Sequence, residues 1–335
     1  MNSQYDSIDE KMKKVLVTGA SGFIGNNLVN VLQNKGYQVR ILVIDPKEKN
    51  IPPGTELFIG DLTSPESLVN IENNISFVFH CAGILGKWGT DNSIITEVNI
   101  EGTVNLIKRF AGTSISKLIH LSAGGVTGPV NEVMVDESYK CHPATEYEKS
   151  KYLGEQQAIS LSKELNIPVV VVRPTFTYGP GDPHKIGLFR AIKNGSFAFI
   201  GDGESVNHPV YIDDLISGIL LAMEKGRTGE IYIIGGEKPV TKKELVYTIA
   251  DILDVNRPKI KIPRWLAWFM ASIFEFTGRR LHFEPILTRS RVMMMADNFG
   301  YSIQKAQKEL GYQPLIGLQE GIIRTAAFYK EKGLL

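Results

Sequence analysis

The stretch VTGASGFIGNNL, residues 17–28, restricts the fold more than any other part of the chain. Three glycines, Gly19, Gly22 and Gly25, recur at every third position between a valine-rich run (KVLVTG, 14–19) and the apolar opening of a helical pattern. Each glycine has a distinct physical task in such a turn. Gly19 permits the tight reversal out of the strand, and Gly22 lets backbone N–H groups approach a pyrophosphate at the helix N-terminus. Gly25 lets the helix lie close against the sheet. The pattern predicts a dinucleotide-binding turn in the first strand–helix unit.

The strand–helix rhythm continues through the first half of the chain. QVRILVI (38–44), ELFIG (56–60), SFVFHCAG (76–83), KLIHLSA (117–123) and IPVVVVRP (167–174) read as strands. They are too continuously apolar for a sheet with one wet face. Helical patterns over 23–35, 65–73, 92–111 and 145–165 separate them. Strand and helix in alternation predict an α/β fold, a doubly wound parallel Rossmann sheet with helices on both faces. The expected divisions are a tail over 1–12, a dinucleotide-binding domain over 13–177 and a smaller, interleaved C-terminal substrate lobe over 178–335. Within that lobe 209–236 is expected to return to the Rossmann domain. HPVYIDDLISGILLAME reads there as a short strand entering a helix, with Asp213 or Asp214 as N-cap. EIYIIGG (230–236) reads as a further strand and 241–254 as a further helix.

Charge excludes some partners. With 37 basic and 36 acidic residues in 335, no global field recruits nucleic acid or an anionic membrane, so any phosphate must be held locally. The two cysteines, Cys81 and Cys141, form no CxxC pair and fit a reducing, cytoplasmic setting. No histidine spacing predicts a metal site, and His80 and His120 fall in apolar runs as buried strand residues. The polar start MNSQYDSIDEKMKK lacks the apolar core of a signal peptide.

TGASGFIG, GDL (60–62), FVFHCAG (77–83), VNIEGTVNLI (98–107) and the Tyr147-x-x-x-Lys151 pair occur in this order along the chain. This ordered set resembles the extended short-chain dehydrogenase/reductase superfamily, the NAD-dependent epimerase/dehydratase family. The resemblance implies that Gly19, Ser21, Gly22, Phe23, Ile24 and Gly25 hold the cofactor. It also implies that Asp61 and Leu62 approach the adenine, that Ala82 and Gly83 line the cleft, that Asn99 braces the active-site helix, and that Pro174 and Thr175 border the nicotinamide.

On a helix Tyr147 and Lys151 share a face. A phenol is a poor base at neutral pH, and a neighbouring ammonium together with a positive nicotinamide ring would lower its pKa. The expected chemistry is proton transfer by Tyr147 while a hydride moves between cofactor and substrate carbon, with Lys151 also bonding the nicotinamide ribose. The resemblance calls for a third group, a hydroxyl ending the fifth strand. In HLSAGGVTG that position falls on Ala123, leaving Ser122, which is preferred, or Thr127, or no hydroxyl at all.

The end of the second strand, RILVIDPKEKN, bears on NAD or NADP. The ribose-binding acid falls on Val43 and the 2′-phosphate arginine of some relatives on Ile44, so both anchors are replaced. Asp45 comes two residues late and can still reach the ribose; the absence of a 2′-phosphate anchor favours NAD, while Lys47 and Lys49 argue for NADP. For the substrate, two anchors of the nucleotide-sugar enzymes are also replaced, by Phe176 in RPTFTYGP and His208 in NHPVYIDD. RPTFTYGPGDP, VNHPVYIDDL and YSIQKAQKELGYQPL resemble the 3β-hydroxysteroid dehydrogenase and sterol-decarboxylating branch. GRTGEIYIIGGE and YEKSKYLGEQQA also resemble dihydroflavonol-reductase-like and hopanoid-associated members.

The expected function is therefore an NAD(P)-dependent oxidoreductase acting on a secondary alcohol or ketone of a largely apolar, sterol- or isoprenoid-like molecule. A nucleotide-sugar epimerase or dehydratase that recycles its NAD is the alternative, with a cofactor-bound, non-catalytic binding or assembly protein as a third reading. PRWLAWFMASIFEF (263–276) is too short to span a bilayer. It is expected to be a buried helix, with a substrate tunnel wall or a peripheral membrane contact as alternatives. Arg279 and Arg280 beyond it suit lipid headgroups or a substrate phosphate. A homodimer is expected from the resemblance.

Overall fold

A computed structural model describes residues 13–86, 88–132 and 134–335; the tail expected over 1–12 lies outside them. In chain order the first half runs β1 (Lys14–Thr18), α1 (Phe23–Asn34), β2 (Gln38–Val43), β3 (Glu56–Ile59), β4 (Ile75–His80), α2 (Asn92–Thr96), α3 (Gly102–Arg109), β5 (Lys117–Leu121), α4 (Glu146–Leu165) and β6 (Val169–Pro174). The second half runs β7 (Phe176–Tyr178), α5 (Ile186–Lys193), β8 (Phe199–Ile200), β9 (Val206–Asn207), β10 (Pro209–Tyr211), α6 (Ile212–Lys225), β11 (Ile231–Ile234), β12 (Val240–Thr241), α7 (Lys242–Leu253), β13 (Lys261–Ile262), α8 (Arg264–Leu281), α9 (Arg289–Ala296) and α10 (Leu318–Glu331).

Seven parallel strands form the central sheet in the order β11-β6-β5-β4-β1-β2-β3. Side chains alternate between its faces. Val15, Val17, Ile41, Ile119 and Leu121 join one apolar cluster with α1 and α6, and Leu16, Leu42, Val78 and Leu118 join another with α3 and α4. Burial on both faces is why these strands read as unbroken apolar runs. Strand order reverses beside β1, where β4 leaves in the opposite direction to β2. In open α/β sheets this switch point opens the ligand crevice at the carboxyl ends of the strands.

Several elements depart from the sequence reading. The helix expected over 65–73 is a single 3-10 turn, Pro65–Leu68, because Asn70 and Asn74 take left-handed backbone angles, φ 75° and 61°. The 92–111 segment is helical to Arg109, with a π-helical turn over Glu97–Glu101 inside it. Neither Asp213 nor Asp214 caps α6, whose N-cap is Tyr211. Asp214 is instead buried and accepts hydrogen bonds from the backbone N–H groups of Leu315 (2.9 Å) and Ile316 (3.0 Å), pinning the C-terminal segment to α6.

The second half divides between sheet and lobe. α6 packs on β5 and β6, and β11 forms the edge of the central sheet beside β6. β10 pairs with β7, β12 with β9 and β13 with β8, giving the lobe three two-stranded ladders. The buried helix expected over 263–276 is overturned. α8 buries Ala267, Ala271, Glu275 and Gly278, while Trp265, Trp268, Phe269, Ile273 and Phe276 are exposed. No helix of the described residues is long and apolar enough to cross a membrane.

Candidate active site

The glycine turn closes the crevice floor. Gly19 has φ 70°, and a Cβ there would stand 2.7 Å from the Ala82 backbone nitrogen, so the turn after β1 and the turn after β4 touch. A Cβ on Gly25 would fall 2.2 Å from the Gly19 carbonyl oxygen, a clash with backbone that leaves only hydrogen room for it. Gly22 is the N-cap of α1, without a side-chain cap and with no acid in the first turn. The helix thus opens on N–H groups that no side chain satisfies, the electrostatics an anionic pyrophosphate requires. These residues fit a dinucleotide.

Beneath the crevice a polar chain fixes the strand ends. Ala82 N–H donates to Thr18 Oγ1 (3.2 Å), which bonds His80 Nδ1 (2.8 Å), while His80 Nε2 bonds Thr103 Oγ1 (2.9 Å). Thr103 Oγ1 donates in turn to the Asn99 carbonyl (2.8 Å). His80 and His120 are fully buried strand residues whose rings lie 5.3 Å apart, and burial pushes His80 down to about 3. Both stay neutral; His80 links Thr18 to Thr103, and His120 packs beside it.

Asn99 sits within the π turn and bridges two elements. Its Nδ2 donates to the Ile84 carbonyl (3.0 Å) and to Ser150 Oγ on α4 (2.8 Å), and its Oδ1 accepts from Ile84 N–H (2.8 Å). The wide π turn thereby orients a side chain that joins the loop after β4 to α4. α4 itself starts on a capping box: Thr145 Oγ1 accepts from Glu148 N–H, and Glu148 Oε2 accepts from Thr145 N–H (3.0 Å). Glu148 also lies against Gly125, where a Cβ would meet its Oε1 at 2.9 Å, so the helix start and the turn after β5 are packed as one.

Lys151 is buried, and its Nζ would stand 3.6 Å from a Cβ on Gly83, a position that is also 3.2 Å from Asn99 Oδ1. Gly83, Asn99 and Lys151 therefore converge on the crevice wall. Burial pushes the Lys151 ammonium down to about 8, against the opposite pull of Cys81 and Glu155. Tyr147 lies one helical turn earlier, partly exposed. Its phenol is pushed up to about 12, first by burial and then by the Glu148 carboxylate. Burial and Glu148 are what act on the phenol without the cofactor, whose positive ring is the other half of the expected lowering. At neutral pH Tyr147 holds its proton.

The three hydroxyl candidates separate clearly. Ser122 N–H donates to the Val172 carbonyl (2.8 Å), which continues the β5–β6 ladder past Leu121, and Ala123 remains extended at φ −151°, ψ 145°. Strand alternation therefore turns Ser122, like Leu118 and His120, to the face that carries α4 and turns Ala123 away. Ser122 Oγ is buried and has no hydrogen-bond partner among the described residues. Thr127 is committed elsewhere: its Oγ1 donates to the carbonyls of Gly124 (3.1 Å) or Gly128 (2.9 Å) and lies 3.5 Å from Tyr301 Oη.

At the end of β6, Pro174 is buried against Gly124, and Thr175 Oγ1 is buried without a partner among the described residues. Asp61 Oδ1 accepts from the backbone and hydroxyl of Thr63 (2.8 Å each), and Leu62 is buried against Gly102. Asp45 is exposed and accepts from Lys47 N–H (2.8 Å). Glu48, which the sequence reading passed over, receives the N–H groups of Ile44 (3.1 Å) and Asp45 (3.3 Å) at the end of β2. Two carboxylates thus stand at this corner.

Of the two replaced substrate anchors, His208 is buried and bonds the Gly236 carbonyl through Nε2 (2.9 Å) while stacking on Tyr301. Phe176 lies under Lys185, whose Nζ is 4.5 Å from the ring centre and 3.6 Å from Asp182. Lys185 is a cation the sequence reading missed; nothing in GPGDPHK marks it apart from a loop lysine. Arg279 and Arg280 are exposed at the end of α8, Arg279 lying 5.7 Å over the Trp88 ring.

Residues 15–235 match the NAD dependent epimerase/dehydratase family. Among curated proteins, the chain is 28% identical to mouse (Mus musculus) sterol-4-alpha-carboxylate 3-dehydrogenase, decarboxylating, over 94% of this chain and 90% of the relative. It is also 28% identical to 2-alkyl-3-oxoalkanoate reductase of Stenotrophomonas maltophilia (strain K279a), over 94% of this chain and 98% of the relative. Among solved structures, UDP-glucuronic acid 4-epimerase from Bacillus cereus in complex with NAD superimposes with a TM-score of 0.74 at 25% identity, covering 95% of this chain and 99% of that one.

Proposed function

The chain belongs to the NAD-dependent epimerase/dehydratase family of extended short-chain dehydrogenases/reductases, and on that premise we propose that it interconverts a ketone and a secondary alcohol on a largely apolar substrate. The observation that carries the substrate reading is the fate of the two positions where nucleotide-sugar enzymes keep polar anchors. One is the phenyl ring of Phe176, and the other is His208, buried and bonded to the Gly236 carbonyl. Relatives named for a sterol carboxylate and for an alkyl-oxoalkanoate support it.

When bound, the nicotinamide supplies the hydride acceptor or donor. The turn Gly19, Ser21, Gly22, Phe23, Ile24 and Gly25 holds the pyrophosphate on N–H groups at the start of α1. Asp45 and Glu48 repel a 2′-phosphate, which favours NAD over NADP. Lys151, set between Gly83 and Asn99, would bond the nicotinamide ribose, and its ammonium would stabilise a phenolate on Tyr147 one turn away. Tyr147, protonated at neutral pH, gives its proton to the ketone oxygen in reduction and recovers one from solvent. Oxidation needs the phenolate, which the added positive charge of an oxidised nicotinamide favours. Ser122, with its unpartnered Oγ on the α4 face, supplies the hydrogen bond that positions the substrate oxygen.

The test is cofactor consumption by the purified protein. NADH should be oxidised in step with loss of ketone on a panel of long-chain 3-oxo compounds and steroid ketones. Interconversion of UDP-sugars without net change in nicotinamide absorbance, and no turnover of the apolar panel, would replace this reading with the epimerase one.

A further inference from the structure

α8 is packed inside out. Its buried stripe is Ala267, Ala271, Glu275 and Gly278, and its large side chains face outward: Trp265 is 72% exposed, Phe269 60% and Phe276 68%. These three recur at intervals of four and seven residues, so they share one side of the helix. Leu281, the last residue of the helix, and Ile286 beyond it are exposed as well. A contiguous aromatic face of this kind on a folded chain marks an interaction surface.

The charges around it decide what it meets. Five arginines border the patch: Arg264, Arg279, Arg280, Arg289 and Arg291. Three of them are paired, Arg264 with Asp297 (2.6 Å), Arg289 with Glu275 (2.7 Å) and Arg291 with Glu284 (2.8 Å). Arg279 and Arg280, in the last turn of α8, form no ion pair among the described residues, so the surface keeps surplus positive charge. The neighbouring acids are already taken, so a second copy packed on this face would set cation against cation without a counter-charge. Lipid phosphates supply one.

We propose that α8 is an interfacial helix that docks the protein on an anionic bilayer. Trp265, Phe269 and Phe276 enter the boundary between headgroups and acyl chains, and Arg279 and Arg280 meet headgroup phosphates. The helix lies in the membrane plane, being too short and too polar on one side to cross. Its two ends lie against loops that lead away from the crevice. At one end Arg264 and Trp268 line a cavity of about 570 Å³ with Pro129, Val130 and Asn131, directly beyond the turn that follows β5. At the other, Arg279 stacks on Trp88 in the loop that follows Gly83. The docking does not depend on which substrate the enzyme takes.

The test uses the full chain and vesicles of phosphatidylcholine with or without phosphatidylserine. The protein should sediment with the anionic vesicles at low salt, and its tryptophan emission should shift to the blue. Trp265→Ser, Phe269→Ser and Phe276→Ser combined should cut the bound fraction at least about tenfold. Arg279→Gln with Arg280→Gln should remove the preference for phosphatidylserine. Unchanged NAD binding in both variants would show that the fold and the crevice persist. A wild-type protein that stays in the supernatant with both vesicles overturns the proposal, as does a triple variant that binds as well as wild type. A wild-type dimer that ignores vesicles and dissociates in the triple variant assigns the face to a second copy instead.

Discussion

Glu155 holds Arg173 in a bidentate pair, accepting from Nε at 2.9 Å and from Nη2 at 2.6 Å, with both side chains buried. Glu155 stands one turn beyond Lys151 on α4, and Arg173 precedes Pro174 at the end of β6. The pair therefore sets the helix that carries Tyr147 and Lys151 against the strand that ends beside the crevice. Glu155→Ala leaves a buried guanidinium without its counter-charge and should destabilise the fold by about 3–5 kcal/mol. Chemical denaturation of the variant and of a Glu155→Leu, Arg173→Met double variant measures it; the double variant should recover much of the loss.

Tyr147→Phe removes the proton donor and leaves the ring in place. Turnover should fall at least about a hundredfold, with NADH affinity within about twofold of wild type. Retained turnover would exclude Tyr147 from the chemistry.

Lys151 gives a pH signature in the cofactor-free protein. Its pKa is depressed to about 8 from an unfolded value of 10.5, so between these two pH values the unfolded chain binds more protons than the folded one. Stability from this group therefore rises with pH across that window, and its burial costs most below pH 8. Lys151→Met should raise the melting temperature at pH 7 and shrink its gain toward pH 10. Tyr147 acts in the opposite sense at higher pH: its folded pKa of about 12 lies above the unfolded 10, so stability is lost as pH rises beyond 10.

The carboxylates at the end of β2 predict cofactor choice. NADH should bind more tightly than NADPH at fixed salt. Ile44→Arg with Glu48→Gln should narrow the gap by about tenfold, by adding a phosphate partner and removing a repelling charge. Equal affinities in the wild type would show that Asp45 and Glu48 do not reach the ribose.

Gly25→Ala tests the turn. The added methyl would meet the Gly19 carbonyl oxygen at 2.2 Å, so α1 must move off the sheet. NADH binding should be lost with a lower melting temperature, whereas Gly36→Ala, at φ 83° but in open space, should lower stability and spare binding.

The sequence determined the doubly wound sheet, because parallel strands covered on both faces must be written as unbroken apolar runs. It also determined the glycine turn and the Tyr147–Lys151 pair, because their demands are local: positive φ, missing Cβ atoms and helical spacing. Tertiary structure decided what depends on neighbours distant in the chain. The pKa of Tyr147 follows from burial that no spacing reveals, and Asp214 turns from an expected cap into an anchor for Leu315 and Ile316. Ser122 gains its orientation from the β6 strand beside it. α8 shows the limit most plainly: its apolar composition reads as core, yet the residues that pack inward are Ala267, Ala271, Gly278 and the Arg289-paired Glu275, which leaves its aromatic side facing outward.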